Sequence, residues 1–262
     1  MVLVFCAAVI IGACVILSVK NVNIEYIYYS SSDDEVPHSA QEFETASDNL
    51  NALKGQNMLF LSDEEITACV YGNMVYIESF EKIFPCTINV VLRERREQYA
   101  RLNSSDLYDI YDTEGKYIET RSQNINPADN SPDVLLNVDD QAFEAAVEMC
   151  SYFKDCFGFL RNLVQSVTSL YDPVLDTANL TFRLYSGLTI VIYDYDEYAE
   201  EKMNEVYDEY ERLSESQKLR GSIYAVSLND DADGDYAAYY NPDLNNEIIF
   251  SCILYFYCGL IA

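Results

Sequence analysis

The chain opens on a run without a single charge, MVLVFCAAVIIGACVILSV, residues 1–19. Its length and character match the apolar thickness of a bilayer, so this segment is expected to form a transmembrane helix. A cleaved secretory signal is the alternative, but the basic leader and small-residue cleavage site of such signals are missing. Beyond it Val22, Ile24, Tyr26 and Tyr28 alternate with Asn23, Glu25 and Ile27, a mostly period-two pattern that predicts a strand with one buried face. Polar SSSDDEVPH follows as a loop. Phe43, Ala46, Leu50 and Leu53 then recur at helical spacing up to Gly55, which predicts an amphipathic helix and its stop. A second, short helix starts at Ser62, whose spacing to Glu65 fits a capping box, with Ile66, Cys69 and Val70 on its apolar side. MVYIESFEKIFP and CTINVVLRERRE read as two strands; Pro85 marks the turn, because it cannot continue a central ladder. Ile88, Val90 and Leu92 point to one side of the second of these. The order is strand, helix, helix, strand, strand.

In the second half, residues 139–170 read as helical, with Phe143, Val147 and Cys150 on one side. TFRLYSGLTIVIYD offers two short strands around Gly187. Met203, Val206, Tyr210 and Leu213 share one face of a helix that stops before Gly221. IYAVSL and DYAAYY then form a hairpin around NDDADG. The final run, IIFSCILYFYCGLIA, is uncharged but too short for a standard span unless tilted. A terminal strand, a membrane contact and a misread gene end all fit it.

Composition narrows the function. The chain has 262 residues, half of them hydrophobic, with 16 Lys plus Arg against 44 Asp plus Glu, a net charge of −28. That charge repels phosphate backbones, which argues against nucleic acid as a partner. His38 is the single histidine and stands in a polar loop, so neither a histidine-based triad nor a multi-histidine metal site can be assembled. The cysteines, Cys6, Cys14, Cys69, Cys86, Cys150, Cys156, Cys252 and Cys258, contain no CxxC pair. Disulfides such as Cys69 with Cys86 compete with the plainer reading of small buried residues. Asn229, Asp231, Asp233 and Gly234 begin like a calcium loop, but Tyr240 stands where the bidentate glutamate belongs, so the segment reads as a hairpin turn. Carboxylate pairs abound by chance alone. No catalytic residue, cofactor, metal or small-molecule substrate is expected.

A set of local motifs does point to a family. LKGQN stands before an apolar LFL, the second helix begins with acids, and KIFPCTINVVLRER leads to Ala100. Directly after an apolar first segment, this resembles the polypeptide-transport-associated (POTRA) domain of the FtsQ/DivIB family of bacterial division proteins. DLYDIYDTEGKYIE resembles the strand-turn-strand entry to that family's second, β domain. The short turn usual after the family's first strand is replaced here by YYSSSDDEVPH, and the tail has no counterpart.

The resemblance implies an α+β protein: a membrane helix over 1–19, a POTRA domain (β-α-α-β-β) over 20–100, and a mixed β domain over 101–243. That last domain would carry a late helix and closing strands, and 244–262 would be an apolar tail without an assigned role. It implies a non-catalytic, single-pass scaffold of the divisome in the cell membrane, most of it extracytoplasmic, serving septum formation. Partners would be bitopic proteins of the FtsL/DivIC and FtsB types. In the family the last strand of the β domain takes up a partner strand along its edge. Matched residue by residue, that strand is Tyr236, Ala237, Ala238, Tyr239 and Tyr240. DYAAYYNP keeps its middle uncharged and holds Pro242 beyond the strand, so it lacks the devices that normally blunt an edge. Two other readings compete: a POTRA-bearing transport or assembly factor that handles unfolded clients, and a cell-wall hydrolase. Residues 101–262 are too few and too helical for the barrel expected of the former.

Overall fold

A computed structural model describes residues 16–28, 39–122, 132–172, 177–195, 197–227 and 236–242. The chain divides into two compact units, one running to Arg96 and including Lys116–Glu119, the other taking Glu97–Gly115 and the chain from Thr120.

The smaller unit is built from β1 (Asn21–Ile27), α1 (Ala40–Asn51), α2 (Asp63–Thr67), β2 (Val75–Ile83) and β3 (Thr87–Glu94). β3 lies in the middle of a three-stranded sheet, parallel to β1 and antiparallel to β2. Its alternation is strict: Ile88, Val90 and Leu92 are buried and the residues between them half-buried. These three share one core with Phe43, Ala46, Leu50 and Leu53 of the first helical region and with Ile66 of α2. Ser62 caps α2 as a full capping box, its hydroxyl accepting from Glu65 N at 3.1 Å while the Glu65 carboxylate accepts from Ser62 N at 2.8 Å. Glu42 in the first turn of α1 reaches across and accepts from Met74 N and Val75 N, which fixes the start of β2. At the far end of β3, Arg93 pairs with Glu78 at 2.6 Å and Arg95 lies over the Tyr76 ring.

The larger unit comprises β4 (Glu97–Leu102), β5 (Tyr108–Asp112), the end of β6 (Tyr117–Arg121) from Thr120, β7 (Val134–Asn137), α3 (Phe143–Phe157), β8 (Val164–Asp172), β9 (Thr177–Leu184), β10 (Thr189–Tyr193), α4 (Ala199–Arg212), β11 (Ser222–Ser227) and β12 (Tyr236–Asn241). Among the described residues these strands, with β6, make one nine-stranded sheet in the order β12-β11-β10-β9-β8-β7-β4-β5-β6. β7 pairs with β8 and β10 with β11 in parallel, and α3 and α4 are the crossovers that such pairing requires. The two helices touch through Phe157, whose ring meets Tyr207 at 5.0 Å and Tyr210 at 5.1 Å. Beneath them Phe153 stacks on Phe182 at 5.4 Å, within a core that also takes in Leu136, Val167, Ile190, Met203 and Ile223.

Three parts of the fold expected from sequence are corrected. The chain is a mixed α/β protein and not the expected α+β protein, with four helices and a large mixed sheet among the described residues, where the expected N-terminal membrane helix is not seen. No helix among those residues is long and apolar enough to cross a membrane. The end of the apolar run belongs instead to the small unit: Ser18 bridges to Asn57, and Val19 is buried in the core beside Leu53 and Met58. Residues 1–15, His38, the Asp-rich turn at 229–234 and the tail 244–262 lie outside the described residues.

The helix expected over 139–170 also ends early. Gly158 takes a left-handed φ of 84°, which stops α3, and Val164 starts a strand whose Val164 and Val167 are fully buried.

Candidate functional site

The expected partner-binding residues, Tyr236, Ala237, Ala238, Tyr239 and Tyr240, all fall in β12, the terminal strand of the nine-stranded sheet. β12 pairs antiparallel with β11, Ala225 opposite Ala238 and Tyr224 opposite Tyr239. β11 is buried from Ser222 to Val226, so it forms a fixed base for the strand outside it.

The two faces of β12 differ. Ala238 and Tyr240 pack inward on the main core, where Met203 and Val206 of α4 and Ile223 and Ala225 of β11 sit. The Tyr240 hydroxyl donates to the Arg220 carbonyl at 3.1 Å, tying the strand's end to the turn before β11. Gly221 in that turn has φ 86°, and a Cβ there would stand 2.5 Å from the Asn241 carbonyl oxygen, so only glycine lets β12 lie this close. Ala237 and Tyr239 share the other face with their cross-strand partners Val226 and Tyr224. A small cluster continues there through Val191 and Tyr193, with the Tyr193 and Tyr224 rings 6.3 Å apart. Tyr239 is exposed at the rim of this tyrosine-rich face. Tyr236, at the strand's start, holds its ring 5.0 Å from that of Tyr198.

One supporting residue escapes a reading of the sequence. Lys202 adjoins Met203 on α4 and is fully buried, its Nζ donating to the carbonyls of Tyr193 at 2.8 Å and Asp194 at 2.7 Å. It thereby pins the start of α4 to the end of β10, next to the strand that carries β12's base. In sequence it is one lysine among the acids of a polar helix face, with no signal that sets it apart.

The four described cysteines, Cys69, Cys86, Cys150 and Cys156, are free thiols, so the Cys69 to Cys86 pairing is not formed. Cys150 is buried in the large core against Tyr99, and burial raises both groups' pKa values. On the small unit, the sheet face bearing Asn23, Glu25, Ser79, Glu81 and Asn89 bounds a shallow concavity of about 520 Å³. Asn23 Nδ2 donates to Asn89 Oδ1 at 2.9 Å across it. Compared with known proteins, the chain matches no family model and no curated protein.

Proposed function

We propose that the chain is a non-catalytic scaffold of the bacterial divisome, acting at the cell membrane in septal cell-wall synthesis and engaging bitopic FtsL/DivIC- and FtsB-type partners along β12. The observation that carries this reading is the place of β12 at the end of the large sheet. The resemblance of about residues 20–120 to the FtsQ/DivIB family supplies the biological setting. A terminal strand offers a template for strand addition, in which main-chain hydrogen bonds give affinity and alternate side chains give specificity. Here the alternate positions differ in kind, with Ala238 and Tyr240 anchored inward and Ala237 and Tyr239 on the tyrosine-rich face. Tyrosine is a preferred interface residue, since it supplies a large apolar area with a polar tip.

The test is capture of co-expressed FtsL/DivIC- and FtsB-type partners by the full chain and by two variants. Ala238→Pro fixes φ and removes a backbone donor from the strand, and capture should be lost. Tyr239→Asp changes a single exposed side chain and should weaken capture roughly tenfold or more, in the range of an interface hot spot. Undiminished capture by both variants, with circular dichroism unchanged, would move the binding surface away from β12. Capture of unfolded chains of unrelated sequence with equal strength would favour the transport-factor reading instead.

A further inference from the structure

The small unit gathers its exposed aliphatic and phenylalanine side chains at one end. Three segments converge there. Val19 N donates to the Gln56 carbonyl at 2.8 Å and Gly55 N to the Val19 carbonyl at 2.9 Å, Met58 N donates to the Leu17 carbonyl at 2.8 Å, and Lys20 N donates to the Cys86 carbonyl at 2.8 Å. Lys82 Nζ donates to the Leu61 carbonyl at 2.7 Å, which joins the end of β2 to the same place.

On this scaffold the turn after α1 points Met58 and Leu61 into the core and the two residues between them outward, Leu59 at 59% and Phe60 at 79% exposure. The turn is held by Asn57, whose side chain accepts from Leu59 N and whose carbonyl accepts from Phe60 N and Leu61 N. Ile16, Ile83 and Phe84 are exposed on the converging segments.

Adjacent bulky apolar side chains presented to water by a hydrogen-bonded turn mark a surface that something covers. Two features of the molecule say what. The backbone pairing puts Ile16 next in line to Leu59, and the fifteen residues before Ile16 carry no charge. In a chain of net charge −28, all three lysines before residue 97 stand at this end: Lys20 beside Val19, Lys54 beside Gly55, and Lys82. Lys20 and Lys54 are exposed. The facing acids are those of α2, where Lys82 holds Asp63 at 2.6 Å, Glu65 is engaged in the capping box, and Glu64 is exposed. Apolar side chains ringed by lysines are the composition that binds at the headgroup boundary of a membrane.

We infer that this end of the small unit docks on a lipid bilayer, with Leu59 and Phe60 entering the headgroup boundary and Lys20 and Lys54 meeting lipid phosphates. This docking does not depend on strand addition at β12.

The chain has no tryptophan, so Phe60→Trp installs a single reporter in the full-length protein. Tyr71→Trp is the control: Tyr71 is also exposed, but the neighbouring Gly72 lies against Glu42 near the start of α1, away from the turn that follows that helix. With vesicles of phosphatidylcholine and phosphatidylglycerol, the Phe60→Trp emission should move to the blue and be quenched by brominated acyl chains, while Tyr71→Trp shows neither. Lys20→Gln and Lys54→Gln should each weaken partition about fivefold on anionic vesicles, and not on pure phosphatidylcholine, following ~1 kcal/mol per basic residue near an anionic surface. Unshifted Phe60→Trp emission on vesicle-bound protein, or equal quenching of both reporters, would overturn the inference. So would a reporter already shifted to the blue without lipid, which would show that protein covers the site.

Discussion

Tyr99 and Cys150 carry the clearest pH signature in the chain. Both lie inside the large core with a side-chain hydrogen bond between them, and burial raises them from ordinary values of 10.0 and 9.0. Neighbouring Asp133 and Asp112 push Tyr99 further in the same direction. Each group keeps its proton in the folded chain at a pH where the unfolded chain releases it. Their contribution is therefore complete below the unfolded values and is lost as pH rises above about 9 for Cys150 and about 10 for Tyr99, by ~1.4 kcal/mol per pH unit for each group. Melting temperature should fall steeply from the lower of these values upward, and the double variant Tyr99→Phe with Cys150→Ala should flatten the fall. An unchanged alkaline profile in that variant would assign the loss to other groups. The sequence placed Cys150 on the apolar side of its helix, which is legible from spacing. It held no sign of Tyr99 as the facing residue, because the two are brought together only when β4 pairs between β5 and β7 in the sheet.

Helix α2 shows how far a local signal reaches. It has five residues, too few to be stable alone, and its start is set by Ser62 and Glu65. Replacing Ser62 with alanine should cost ~1 kcal/mol, read as a lower urea midpoint with an unchanged slope. A variant with the wild-type midpoint would mean that packing of Ile66 alone holds the turn. Such signals lie within a few residues of each other, which is why α1, α2, β2, β3 and α4 could be read from spacing. β4, β7 and β8 could not. GluGlnTyrAlaArgLeu at 97–102 has no strict alternation, and β4 sits between β5 and β7, where its Tyr99 and Ala100 are both buried. A strand covered on both faces loses the period-two pattern that identifies strands with one wet face.

For the molecule as a whole, the charge of −28 outweighs individual ion pairs. Pairs such as Lys82 with Asp63 and Arg101 with Asp140 involve exposed carboxylates and contribute about 0–1 kcal/mol each, whereas repulsion among the acids acts over the entire surface. Salt weakens both, and the repulsion is the larger. The melting temperature should rise as sodium chloride is raised from about 0.01 M to 0.1 M, over which the screening length falls from ~30 Å to ~10 Å. A melting temperature that falls with salt would show that the ion pairs dominate.

Local pattern was enough to specify which segments become strands and helices over most of the small unit, the strand character of Tyr236 to Tyr240, and the apolar side of α4. These depend on side chains a few residues apart, whose spacing decides which of them can share a buried face. The parallel pairings, the position of β12 at the sheet's end, the burial of Lys202 and the return of Ser18 to Asn57 were decided by the tertiary structure. Each joins positions separated by loops or helices, where the outcome depends on which surfaces meet in three dimensions, and no periodicity along the chain records that meeting.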